Sequence, residues 1–269
     1  MSKIKIAHES PIDIFDEVQR VTDYDYCLVH LLEQSDSYRE AFEAAVLKGR
    51  EVILDNSIFE LEEAFEAERF ALWVNRLKPT WYIIPDALED AEKTMEQAAH
   101  WTKNYSHVPG KKIGVVQGKT YQEIRDCYRA MDEIANVDMI AISFDYSYYC
   151  DSVPHPNKYV SWMLGRVKLL GDLERDGVIN KDKPHHLLGV GLPQEGMFYR
   201  DKPWIYSMDT SNPIVHALKG IKYHDVGLFS KESQKLHELI DTDLDDIDLP
   251  LVLSNIYKFN WFWNGKIKV

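Results

Sequence analysis

Cysteine is scarce: Cys27, Cys127 and Cys150 are the only three in 269 residues, far apart and without a CxC or CxxC pair. That excludes a disulfide framework and a cysteine-rich zinc site as organising devices, and it suits a reducing compartment. Positive charge is also short, with 31 Lys and Arg against 44 Asp and Glu and a net charge of −13. The average surface therefore repels phosphate, and any contact with nucleic acid needs a local basic patch. No stretch of about 18 apolar residues occurs, and the opening Met-Ser-Lys-Ile-Lys-Ile runs into His8, Glu9 and Asp13 without an apolar secretory region. The expectation is a soluble, cytoplasmic protein with no membrane partner. GxSxG, the Walker loop, HExxH and a Gly-rich dinucleotide turn after the early strands are missing too, which weakens serine-hydrolase, NTPase, catalytic-zinc and Rossmann readings.

What is present is a large apolar complement, 45% hydrophobic and 12% aromatic, enough for a sizeable core and incompatible with disorder of the whole. Short β-branched or aromatic runs alternate with longer amphipathic segments. The runs are Lys3 to Ile6, Cys27 to Leu32, Glu51 to Leu54, Trp81 to Ile84, Lys112 to Val116, Met139 to Ser143, His186 to Val190 and Ile205 to Met208. Between them, Tyr38 to Leu47, Leu61 to Leu77, Ala91 to Tyr105, Tyr121 to Ile134 and Tyr159 to Leu173 carry apolar residues at helical spacing. Strands alternating with helices predict βαβ units and a parallel sheet. Eight such strands predict an α/β fold of the (β/α)₈ barrel class. No linker divides the chain, so residues 1–269 read as a single domain, with a barrel over about 3–220 and a helical, aromatic extension over 221–269. In that extension, the acidic run Asp241 to Asp248 reads as a solvated face, and Trp261-Phe262-Trp263 as a packed terminal cluster or a surface for stacking bases.

Barrel enzymes gather their chemistry at the C-terminal ends of the strands. Four aspartates fall there: Asp55, Asp86, Asp145 and Asp209. A single Asp after a strand commonly caps the next helix, but four from different strands suit carboxylate chemistry at a sugar carbon or the gathering of Mg²⁺. Gln117 and Gly118 end a fifth run, and Gly189-Val190-Gly191 a sixth. His185 and His186 begin a strand, which predicts a place at the opposite, structural end; His30 reads as a core residue, and His155 as a loop residue near the mouth.

Leu54-Asp55-Asn56-Ser57-Ile58-Phe59-Glu60 resembles the Asp-Ser-Gly-Gly-Phe-Gln segment of tRNA-guanine transglycosylases, and Gly114-Val115-Val116-Gln117-Gly118 resembles their Gly-Ile-Val-Gln-Gly strand. Further on, Leu187 to Pro193 is similar to their Leu-Met-Gly-Val-Gly-Thr-Pro segment, and Met208-Asp209-Thr210-Ser211 occupies the place of the strand bearing the nucleophile. The resemblance spans roughly Glu51 to Pro213 and implies exchange of guanine in a polynucleotide for a 7-deazaguanine through a covalent Asp intermediate; no cofactor is expected, and with no Cys/His ligand spacing in this sequence no metal is expected either. It implies that Asp209 attacks C1′ and that Asp55 moves a proton to and from the base. Asp86 and Gln117, with Gly118 beside them, would bind the base edge, Phe59 and Leu188 would sandwich its ring, and Gly189 would allow close backbone approach.

Three departures narrow the reading. The family's paired glycines are Ser57 and Ile58; its Gly-Gly-Leu segment is Ser143-Phe144-Asp145-Tyr146, to which no base-binding role is transferred; and its Cys-rich zinc segment is missing. A compact, zinc-free chain looks most like the DNA 7-deazaguanine transglycosylases of phages and bacteria. The expected partners are DNA and a 7-deazaguanine base, with tRNA and a helper protein as the alternative, and with room for a homodimer. Other readings are a non-catalytic binding protein and a Mg²⁺-dependent enzyme. Local positive charge is sought at Lys158, Arg166 and Lys168, at Lys181 and Lys183, and at Arg200 and Lys202.

Overall fold

The computed structural model describes residues 3–63, 65–223, 228–231 and 236–265, so Met1, Ser2 and parts of the expected C-terminal extension lie outside the described residues. Eight strands form one parallel sheet: β1 (Lys5–His8), β2 (Asp25–Leu28), β3 (Val52–Asp55), β4 (Trp81–Ile83), β5 (Lys111–Val116), β6 (Met139–Ile142), β7 (His185–Leu187) and β8 (Ile205–Thr210). Sequence neighbours pair from β2 round to β8, and β8 pairs with β1. The remaining seam is bridged by the segment leading into β2. Asp23 donates its backbone N–H to the Ile6 carbonyl (2.9 Å), while the Thr22 hydroxyl accepts from His8 N–H (3.0 Å) and donates to the Ile6 carbonyl (2.8 Å). The fold is the (β/α)₈ barrel that the alternation of periods predicts.

The helices are α1 (Phe15–Gln19), α2 (Val29–Gln34), α3 (Asp36–Leu47), α4 (Ile58–Leu61), α5 (Ala67–Leu77), α6 (Ala91–Asn104), α7 (Tyr121–Arg129), α8 (Ser147–Ser152), α9 (Lys158–Arg175), α10 (Asn212–Leu218) and α11 (Leu249–Asn264). Side chains that accept from first-turn N–H groups start most of the long ones: Ser35, Glu66, Asp90, Thr120, Asn157 and Asp248. Thr120 and Glu123 form a complete capping box. None of the described helices is long and apolar enough to cross a membrane.

Two apolar stretches divide where periodicity alone suggests continuity. The run Cys27 to Leu32 leaves the sheet after Leu28 and becomes α2, because an apolar run buried on all sides fits either conformation. The segment Leu61 to Leu77 breaks at Glu62, which is left-handed (φ +64°), and resumes as α5.

A polar network occupies the N-terminal end of the barrel, where Lys5 pairs with Glu51 and donates to the Tyr206 hydroxyl (2.6 Å), and Tyr206 and Trp81 each donate to Glu51 (2.9 Å). The C-terminal extension packs back as α11. Trp263 is buried against Gly196, where a Cβ would stand 2.5 Å from the indole, while Trp261 is exposed. Of the aromatic cluster, Trp263 is core, Phe262 packs partly buried against that core and Trp261 is exposed, and the aspartates of the run 241–248 are exposed.

Arg166 is buried with Glu195, to which it donates from Nε (2.7 Å) and Nη2 (2.8 Å), and its Nη1 donates to the Leu188 carbonyl (2.7 Å). It ties α9 to the chain leaving β7. Removing one partner of such a pair leaves a buried charge, so Arg166→Ala should cost about 3–5 kcal/mol in urea unfolding. Replacing both partners, Arg166→Met with Glu195→Leu, should cost less.

Candidate active site

A cavity of about 360 Å³ opens at the C-terminal ends of the strands. Of the residues singled out in the sequence, Asp55, Phe59, Asp86, Gln117, Leu188, Gly189 and Asp209 all line it. Gly118 does not. Its φ of +153° and the 2.9 Å between a hypothetical Cβ and both Glu123 Cβ and Ile124 N explain it as the turn that lets α7 close on β5.

Asp209 lies on β8 two residues after Ser207, so both side chains leave the same side of the strand. Both meet His186. The imidazole Nε2 lies 3.0 Å from Asp209 Oδ1 and Nδ1 lies 2.9 Å from the Ser207 hydroxyl, a pairing satisfied when Nε2–H donates to the carboxylate and Ser207 donates to Nδ1. The Gly189 N–H donates to both Asp209 oxygens, at 3.2 Å to Oδ1 and 3.1 Å to Oδ2. The expectation that His186 lies at the structural end is corrected: β7 has only three residues, and His186 is one step from its end. His185 does turn away, towards Tyr128 (2.8 Å). Gly189 (φ +58°) also makes room for Phe144, which a Cβ there would meet at 2.5 Å.

Asp55 ends β3 and is clasped by a tight turn. Ser57, left-handed at φ +60°, donates its N–H to the carboxylate, and the Tyr26 hydroxyl donates from β2. Tyr26 stacks on the His186 ring (centroids 6.0 Å, planes 15° apart), so the supports of Asp55 and Asp209 touch. Burial and the nearby Glu60 push the Asp55 carboxyl up to about 8, outweighing Tyr26 and Ser57. Asp86 is fully buried and accepts from Asn56 Nδ2 and Gln117 Nε2, each at 2.7 Å; burial raises it to about 6. Gln117 is fixed at both ends of its amide, its Oε1 accepting from Glu89 N–H (2.9 Å) and one Nε2–H donating to Asp86, which leaves its second N–H over. It orients Asp86.

Sequence reasoning missed several groups. Glu9 follows β1 directly and lines the cavity, and burial with Asp209, Glu60 and Asp55 opposite holds it protonated well above the usual carboxylate range. The signal was there, but a strand placed at Lys3 to Ile6 ends two residues before the observed one. Phe144 and Lys231 also line the cavity, beside Asp145, one of the four strand-end aspartates, which accepts from the Ser143 hydroxyl (3.1 Å); burial lowers the Lys231 ammonium. His155 does not line the cavity and bonds to Asn157. Among the described residues no group of three His, Cys, Asp or Glu is arranged to hold a metal ion.

The expected basic patches are largely neutralised. Arg166 is in the core with Glu195, Lys168 pairs with Asp172, Lys181 and Lys202 pair with Glu174, and Lys183 pairs with Asp132. Arg200 donates to the Trp261 and Phe262 carbonyls. Among the described residues Lys158, on the cavity rim, has no ion-pair partner and lies over the Tyr159 and Trp162 rings. Compared with known proteins, the sequence matches no family model and no curated protein.

A carboxyl whose folded value is raised binds its proton more tightly in the native state, so its contribution is complete below the unfolded value and is lost as pH climbs to the folded one. For Asp86 that window runs from 3.8 to about 6, and for Asp55 from 3.8 to about 8. Each pH unit in the window costs up to about 1.4 kcal/mol per group, less what cavity water screens. Thermal stability should therefore fall between pH 6 and 8, and Asp55→Asn should flatten that fall; an unchanged slope in the variant would contradict the assignment.

Proposed function

We propose that this barrel is a base-exchange transglycosylase that replaces guanine in DNA with a 7-deazaguanine, using Asp209 as nucleophile and Asp55 as acid and base. The observation that carries the reading is the pairing in one cavity of Asp209, held by two donors, with Asp55, held as an acid at neutral pH. The sequence resemblance assigns the same two residues the same two roles.

The steps balance with this chain's own groups. A carboxylate oxygen of Asp209 bonds to C1′ while the C1′–N9 bond breaks, and the departing guanine takes the Asp55 proton. The base then exchanges for a 7-deazaguanine. Asp55, now a carboxylate, takes the N9 proton of the incoming base as N9 bonds to C1′ and releases Asp209. Two displacements give retention. His186 and the Gly189 N–H keep the nucleophile aimed, as preorganisation requires. Asp86 keeps one acceptor site on each oxygen beyond those used by Asn56 and Gln117, which suits the N1–H and N2–H edge of a guanine-like base. Adenine lacks those donors and would leave the buried acid unpaired.

Incubation with radiolabelled guanine and separate samples of duplex DNA, single-stranded DNA and bulk tRNA tests the reading. Label should enter DNA, and Asp209→Asn should lower incorporation by about 10³-fold or more, the scale of losing a nucleophile, with its circular dichroism unchanged. Label confined to tRNA would move the substrate to RNA, and a fully active Asp209→Asn would overturn the mechanism.

A further inference from the structure

Four aromatic rings run in series from the cavity to its rim. Phe59 meets Phe144 edge-on (centroids 5.4 Å), Phe144 meets Trp162 edge-on (5.5 Å), and Trp162 meets Tyr159 edge-on (5.6 Å). Two ammonium groups sit on this series. Lys231 lies 3.7 Å from the Phe144 centroid, and Lys158 lies 5.2 Å from Tyr159 and 5.1 Å from Trp162. All six side chains line the one cavity. The two lysines face it in a chain of net charge −13 in which the other candidate cations are tied up in ion pairs or backbone contacts.

A free base in the cavity calls for none of this at the rim. Lys158 is exposed and Trp162 half-exposed on the first turns of α9, outside the ring of carboxyls. Alternating flat π-faces and single cations, continuous with a base-sized cavity, match a nucleic-acid strand, in which each base offers a face for stacking and each phosphate one charge. We propose that Tyr159, Trp162 and Lys158, with Lys231 at the inner end, hold the nucleotide next to the extruded guanosine of a DNA strand: its base stacks on Trp162 with Tyr159 edge-on beside it, and the phosphates on either side meet the two ammonium groups. This rests on the base-exchange reading above and adds to it the surface that grips the polymer. It also accounts for how so acidic a protein engages a polyanion, through few cations placed where the strand bends into the cavity.

The test is fluorescence anisotropy with a labelled single-stranded DNA oligonucleotide containing one guanine, and its RNA counterpart, over a salt series. Calorimetry with free 7-deazaguanine runs in parallel, all on the intact chain. Trp162→Ala should weaken DNA binding about tenfold or more, the scale of losing one stacked base. Lys158→Ala should weaken it and reduce the slope of log affinity against log salt by about 0.7, one phosphate contact on a single strand. In both variants the loss for the strand should exceed any change for the free base. Wild-type binding to DNA with unaltered affinity and slope in both variants would overturn the inference while leaving base exchange intact. Equal losses for strand and free base would overturn it as well, assigning the residues to the base pocket. Binding of RNA alone would overturn the assignment to DNA. If the wild-type chain binds neither polymer, the base-exchange reading falls and takes the inference with it.

Discussion

Crowding of carboxyl groups in one barrel mouth is the constraint around which the rest is arranged. Glu9, Asp55, Glu60, Asp86, Asp145 and Asp209 all line the same cavity, and a barrel cannot hold that many ionised acids side by side. Two remedies coexist. Asp55 and Glu9 keep their protons to higher pH, and three more are supplied with donors: Asn56 and Gln117 for Asp86, His186 and Gly189 for Asp209, Ser143 for Asp145. The second remedy explains much of the local sequence. Asn56 reaches Asp86 because it sits in the turn that clasps Asp55, and that turn closes only with Ser57 in a left-handed conformation, a strained state for a residue with a side chain. Supports of neighbouring acids are thus shared, and the Tyr26–His186 stack carries the sharing across the barrel from β2 to β7 and β8.

The barrel was legible because its signals are local. β-branched runs at regular intervals, separated by segments of helical period, lead to the observed strand order, and the four strand-end aspartates lie where the fold puts them. What escaped was of two kinds. A frame error of two residues at β1 hid Glu9, although its place after an apolar run is the same signal that exposed Asp55. Its short strand contains Lys5 and ends in His8, so the apolar contrast is faint. His186 was sent to the wrong end for a related reason: a strand of three residues has scarcely any bottom, and its pairing with β8 shifts register between His185 and His186, a tertiary feature. Lys231 could not be read at all. It belongs to no strand or helix, and only folding brings it to Phe144.

Charged side chains were the least legible feature, because a sequence lists cations without their partners. Arg166 stands on the same helix as Lys158 and looks equivalent, yet it is spent on Glu195 in the core. The difference is position around the helix: Gly165 and Arg166 face inward, where Gly165 lets the backbone approach Tyr149 closely, and Lys158 faces water at the first turn. Seven candidate cations reduce to one in this way. Composition fixes how much charge a chain carries, and packing decides which charge remains on offer.

The retained protons bear on the same problem. On the base-exchange reading, a strand must bring phosphates to within a nucleotide's reach of the cavity, and ionised acids would repel them through a low-dielectric mouth. A site that keeps Asp55 and Glu9 neutral presents less negative charge than its composition suggests, and the Lys231 ammonium offsets part of what remains. On that reading Asp55 serves twice with one proton. It is an acid for the departing base, and until it acts it is a neutral wall beside the polyanion. Once the proton has gone to guanine, the carboxylate left behind makes the cavity less hospitable to the anionic form of a base and favours uptake of a neutral one that still carries its N9 proton. On that reading both bases cross the mouth neutral, and which of them gains or gives up the N9 proton is set by the charge state of a single residue.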